Sequence, residues 1–167
     1  MVLFYIPGTK DFMNKLLIKS DFDGLLVSEA VITTFNTFQI DGRLHPDFYA
    51  GDEEKKAGLE GREYSYWSEV RPICLKLIKG KYTPLNFSFV FRLPDDEAGV
   101  LAAACPRGIS ASDIAGLFLN VRYGSFGLRV TTGISLKIFT ADKSLEHAWD
   151  EYAARFLDGL GITYERL

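Results

Sequence analysis

The stretch LFLNVRYGSFGLRVTTGISLKI, residues 117–138, decides the fold class. Leu117, Leu119, Val121 and Tyr123 alternate with Phe118, Asn120 and Arg122, the period of two that marks a strand with one buried face. Gly124-Ser125-Phe126-Gly127 interrupts the alternation, and a short glycine-flanked break between two strands reads as a hairpin turn. Residues 128–132 answer as the partner strand, and Ile134, Leu136 and Ile138 alternate again as a third. Hairpins join antiparallel neighbours, whereas parallel strands need long crossovers. The stretch therefore predicts an α+β protein with a mostly antiparallel sheet.

The same signal recurs upstream. The run GLLVSEAVITTFNTFQIDGR (24–43) is rich in β-branched and aromatic residues but too long for one strand, so it predicts two, breaking near residues 34–36. VLFYI (2–6) and LNFSFVFRL (85–93) read as further strands. About four helices are expected between them. One runs from Thr9 to about Lys19, and another opens at Pro94-Asp95 and closes at Pro106. A last one opens at Asp142 and ends at Gly159. The clearest has Val70, Ile73, Cys74, Leu77 and Ile78 on one stripe, with Ser68 as its cap and Gly80 as its stop. Pro72 favours that start, since proline is tolerated only near a helix N-terminus. The predicted order, β-α-β-β-α and then β-α-β-β-β-α, suggests two pseudo-symmetric halves. ITTFNTFQI (32–40) and VTTGISLKI (130–138) share Thr-Thr and an alternation. The plan is similar to that of sliding-clamp domains and TATA-binding-like folds, a fold-level analogy that assigns no function.

A chain of 167 residues with 47% hydrophobic and 25% charged residues is long enough for one self-sufficient core, so residues 1–167 read as a single domain. Residues 44–63 (LHPDFYAGDEEKKAGLEGRE) exchange apolar alternation for charge and glycine, the composition of a mobile loop. Nineteen basic against 22 acidic residues give a net charge of −3, which argues against a large nucleic-acid footprint but allows a local basic patch. Cys74 and Cys105 read as reduced core thiols. No run approaches the ~18 apolar residues of a membrane span, and VLFYI lacks the basic leader of a signal peptide. The expected address is the cytoplasm, with no membrane partner.

The candidate chemistry is sparse. There is no glycine-rich dinucleotide fingerprint, Walker loop or nucleophile elbow, and His45 and His147 have no second ligand at zinc spacing. No cofactor is expected. The strongest surface is basic and aromatic: Arg62, Tyr66 and Trp67 precede Arg71, Lys76, Lys79 and Lys81, a mixture suited to contacting phosphates and stacking on bases. Its bland counterpart is an ordinary solvated helix face. Glu146, His147, Asp150 and Glu151 read as the outer face of the last helix, and Asn120, Arg122, Thr131 and Thr132 include groups of an exposed sheet face. Asp21-Phe22-Asp23-Gly24 resembles the opening motif of Mg²⁺-dependent haloacid-dehalogenase-type phosphatases, which would make Asp21 the nucleophile and Asp23 the acid/base. Asp95 and Asp96 would be the further metal-binding pair. Against it, Leu17-Ile18-Lys19-Ser20 reads as a helix tail where the motif needs a strand, and Asp and Gly are ordinary turn residues.

EAVITTFNTFQIDGR (29–43), EGREYSYWSEVRP (60–72), LIKGKYTPL (77–85) and TTGISLKIFTADKSLEHAWDE (131–151) together resemble an uncharacterised family of anaerobic Gram-positive bacteria, a domain of unknown function. The resemblance spans nearly the whole chain and implies a cytoplasmic, single-domain bacterial protein. It brings no activity or ligand with it. The sequence as a whole points to a non-enzymatic binding or interaction protein whose partner is a protein or a nucleic acid, with the phosphatase as the enzyme alternative.

Overall fold

The computed structural model describes residues 1–106 and 108–167. In chain order they form β1 (Leu3–Ile6), α1 (Thr9–Leu17), β2 (Leu26–Thr33) and β3 (Thr37–Asp41). A 3-10 turn (Pro46–Tyr49), α2 (Glu53–Ala57), β4 (Ser65–Tyr66) and α3 (Trp67–Ile78) follow. The second part holds β5 (Asn86–Arg92), α4 (Asp95–Ala103), β6 (Ile114–Gly124), β7 (Gly127–Leu136), α5 (Ser144–Gly159) and β8 (Glu165–Arg166). No described helix is long and apolar enough to cross a membrane.

The strands make one antiparallel sheet in the order β3-β2-β5-β6-β7-β1-β8, with β4 beside the start of β2. The α+β class and the break at residues 34–36 follow the sequence reading. The three strands expected from residues 117–138 are two, because β7 runs unbroken through Gly133. The strand pairing does not repeat as two equivalent halves would require. β5 lies beside β6, yet β1 is separated from β2 and pairs with β7, Leu3 opposite Thr131. Residues 44–63, expected as a loop, hold the 3-10 turn and α2, where the Asp52 side chain accepts from the Lys55 N–H at 3.2 Å.

Local chemistry accounts for the ends of the elements. Helix α3 starts one residue before the expected cap: Ser68 lies inside it, and Glu69 accepts from the Tyr66 N–H at 2.8 Å. Pro72 is its sixth residue, so the Ser68 carbonyl lacks the N–H a regular turn would supply. A bulge between Val27 and Glu29 lets β2 serve β4 and β5 before it meets β3. Gly42 follows β3 so closely that a Cβ there would sit 1.7 Å from the Val27 carbonyl oxygen.

Away from the bulge, the buried strand side chains point to one face. Phe87, Phe89 and Phe91 of β5 line it. Trp67 packs 5.2 Å from Phe89 and 5.1 Å from Phe91, while Phe22 bridges Phe91, Phe12 of α1 and Phe156 of α5. Edge-to-face aromatic pairs of this kind add about 0.5–1.5 kcal/mol each beyond their burial. Both buried indoles are satisfied, Trp67 Nε1 donating to the Leu16 carbonyl at 2.7 Å and Trp149 Nε1 to the Phe118 carbonyl at 3.0 Å. Helices α1, α3 and α5 thus cover one face, and α4 packs on α5 and β6. No described helix covers the other face. Its side chains, among them Tyr5, Glu29, Val31, Ser88, Asn120, Arg122, Arg129 and Thr131, are partly or fully exposed.

Candidate functional site

The basic helix divides into groups held by the fold and groups that are free. Trp67 is fully buried in the aromatic core. Arg71 forms a two-pronged ion pair with Asp23, Nε to Oδ1 at 2.8 Å and Nη2 to Oδ2 at 3.0 Å, and its Nη1 donates to the Ile18 carbonyl at 3.2 Å. Arg62 is bound by Glu69 and lies 4.6 Å from the centre of the Tyr66 ring. Lys76, Lys79 and Lys81 are exposed, and among the described residues no carboxylate pairs with any of them. The seven residues therefore do not form one continuous stripe.

The phosphatase alternative gains no support. Asp21 and Asp23 sit in the turn between α1 and β2, and every strand pairing is antiparallel, so no parallel strand end presents them. The Arg71 pair already occupies Asp23. Asp95 and Asp96 open α4, with Asp95 2.9 Å from Arg92 Nη2. Among the described residues no three His, Cys, Asp or Glu side chains converge as a metal-holding group. One acidic residue of the last helix is also misplaced by periodicity. Asp150 is buried and accepts from the Thr132 hydroxyl, which in turn accepts from the Val2 N–H at 2.9 Å. A hydroxyl on the covered face of β7 is what turns a polar residue of α5 inward.

Two regions gather polar side chains at the surface. One is a cleft of about 440 Å³ between the end of β5 and residues 58–66, joined by Glu63, Tyr64, Arg92 and Asp95 to a second hollow of about 410 Å³. There two guanidiniums lie near the Tyr64 ring, Arg92 at 5.3 Å and Arg43 at 5.6 Å from its centre. Each arginine has its own carboxylate, Asp95 for Arg92 and Glu63 for Arg43 at 3.2 Å. The cleft is polar, with the carboxylates Glu60, Glu63, Asp95 and Asp96 lining it beside Arg62 and Arg92.

The other region is the uncovered sheet face. One row across it reads Gln39, Val31, Ser88, Arg122, Arg129, Tyr5, each opposite the next. Arg122 and Arg129 face each other across β6 and β7, and neither is paired with a carboxylate among the described residues. Glu165 of β8 lies beyond Tyr5, and Glu29, which accepts from Gln39 Nε2 at 3.0 Å, lies towards the opposite edge. The centre of the face is cationic and its acids stand at the margins. Arg122 was legible in the sequence as a sheet-face group; Arg129 was missed. The signal was present, because a tight turn at Ser125-Phe126 fixes the register of residues equidistant from it.

A family-level comparison matches residues 15–165 of this chain. The chain belongs to the Family of unknown function (DUF5721). The DUF5721 match includes α1 from Lys15 onward, the Asp23–Arg71 pair, the cleft arginine Arg92 and both arginines of the sheet row. No curated protein and no solved structure matches the chain. DUF5721 membership accordingly assigns no reaction, and the function has to be argued from the surfaces themselves.

Proposed function

We propose that the protein is a non-enzymatic binding protein that takes a nucleic acid on the uncovered face of its sheet. The observation that carries this reading is the one-sided construction. Helices α1, α3 and α5 bury one face of the sheet, while the other presents an unpaired arginine couple among Ser, Asn, Thr and Tyr side chains. Arginine with hydroxyl and amide neighbours is the side-chain set that contacts phosphate and sugar. Lys79 and Lys81 flank Gly80 at the end of α3. Their loop enters β5 at the end of the sheet where the β6–β7 turn lies, with Asn86 3.8 Å from the Cβ position of Gly124. A cytoplasmic setting belongs to the same reading, supported by two free cysteines, one of them buried, and so does the bacterial origin that the family resemblance implies.

The test is fluorescence anisotropy with labelled single-stranded RNA, single-stranded DNA and duplex DNA at about 50 and about 200 mM salt. The expected result is binding of at least one probe that weakens steeply as salt rises. Absence of binding to all three at the lower salt overturns the reading. A second surface is favoured by one observation, the exposure of Lys76, Lys79 and Lys81 without acidic partners. If α3 is the contact, K76Q/K79Q abolishes binding while the sheet-face variants described below do not.

A further inference from the structure

Two arginines directly opposite each other on neighbouring antiparallel strands repel, and such a pair destabilises a sheet. A facing carboxylate would relieve it. At Arg122 and Arg129 none does: Ser88 flanks the pair on one side and Tyr5 on the other, with Asn120 and Thr131 the next residues along the same face. Arg129 is further constrained. Its guanidinium lies 4.7 Å from the centre of the Phe126 ring, and Phe126 projects from the β6–β7 turn with 54% of its surface exposed. A guanidinium stacked on an aromatic ring keeps its N–H edge free for an anion. The turn itself is fixed by Gly127 at φ +80°, where a Cβ would also approach the Tyr5 ring to 3.1 Å.

We propose that Arg122 and Arg129 together clamp one phosphate of a single-stranded nucleic acid, with Phe126 as the platform for an adjoining base. Directly opposed side chains have Cβ atoms about 5 Å apart, so both guanidiniums reach one phosphate group. The bound anion supplies the negative charge that the sheet leaves out. An exposed aromatic ring at a turn stacks only on an unpaired base, which selects a single strand over a duplex. This site rests on the function proposed above and gives it a location and a ligand.

The experiment uses the full chain, a labelled single-stranded RNA of roughly 12 nucleotides, a duplex of the same length and inorganic phosphate. Wild type is compared with R122Q, R129Q, R122Q/R129Q, F126A and K76Q/K79Q. Each Arg→Gln change is expected to weaken RNA binding about tenfold, and R122Q/R129Q, which releases the one clamped phosphate, to lower the salt slope by about 0.7. F126A is expected to weaken single-strand binding by about fivefold or more and to leave duplex binding unchanged. Without ligand, R122Q should raise Tm by about 1–3 °C, since it removes the repulsion and leaves the Arg129–Phe126 contact in place. An Arg–Arg pair with only a structural role would not give higher stability together with weaker binding.

The outcomes separate cleanly. RNA binding by wild type that R122Q/R129Q leaves within about twofold overturns the clamp and the sheet-face location, and keeps only nucleic-acid binding by another surface. No binding to any nucleic acid overturns both. A wild-type Tm raised by about 10 mM inorganic phosphate, an effect absent from R122Q/R129Q and unaccompanied by RNA binding, assigns the pair to free phosphate and overturns the strand assignment.

Discussion

Arg71 on α3 and Asp23 in the α1–β2 turn, 48 positions apart in the chain, form a two-pronged ion pair with contacts of 2.8 and 3.0 Å. One partner belongs to the phosphatase-like motif and the other to the basic helix, so a single contact uses up the most suggestive residue of each. The pair also ties α3 to the end of α1, where Arg71 donates to the Ile18 carbonyl. Both side chains are about one-fifth exposed, which places the pair between a screened surface bridge and a buried one. D23A is therefore expected to cost about 1–2 kcal/mol, read as a lower urea midpoint. An unchanged midpoint would show the pair to be energetically silent.

Gly42→Ala should be far worse. The added methyl would meet the Val27 backbone oxygen at 1.7 Å, and neither strand can move without breaking the bulged pairing of β2. A loss of about 3 kcal/mol or more is expected, seen as a large drop in Tm or a failure to accumulate folded protein.

The Arg62–Glu69 pair predicts an acid-side effect. The hydrogen bond from Arg62 holds the Glu69 carboxyl below its ordinary value of 4.5, against a smaller opposing effect of burial. A depressed carboxyl stabilises the fold above its unfolded pKa, and that contribution fades as pH falls through the folded value. Wild type should thus exceed E69Q in stability at neutral pH, by a small amount because Glu69 is 44% exposed. The gap should close below pH 4.5. Thermal melts of both proteins across that range check the sign; a gap that widens on acidification contradicts it.

The two cysteines should react unequally. Burial pushes the Cys74 thiol up to about 12, so almost no thiolate exists near neutrality, and no surface is open to a reagent. Cys105 is partly exposed. Iodoacetamide on the native chain should label Cys105 alone, and both residues only after denaturation, as resolved by peptide mass spectrometry.

Local pattern decided most of the elements. The alternation in β6 and β7, the break at residues 34–36 and the apolar stripe of α3, apart from Ile73, which is 52% exposed, were readable, because each depends on neighbours a few residues apart. The start of α3 was displaced because Glu69 folds back onto the Tyr66 N–H, a contact that periodicity does not register. Asp150 was placed on the wrong side of α5 for a tertiary reason: its partner Thr132 lies on a strand that periodicity within α5 cannot see.

The sequence by itself determined an α+β protein with an antiparallel sheet, the hairpin turn at Ser125-Phe126 and, through that turn, the opposition of Arg122 and Arg129. Only the tertiary structure decided what those arginines mean. The insertion of β1 beside β7 and the docking of α1, α3 and α5 on one face are contacts between distant segments. They consumed Arg71 and Trp67 within the fold and, among the described residues, left Arg122 and Arg129 without a carboxylate partner. Local chemistry fixes a register, but whether a charge is neutralised depends on which remote residues the fold brings beside it.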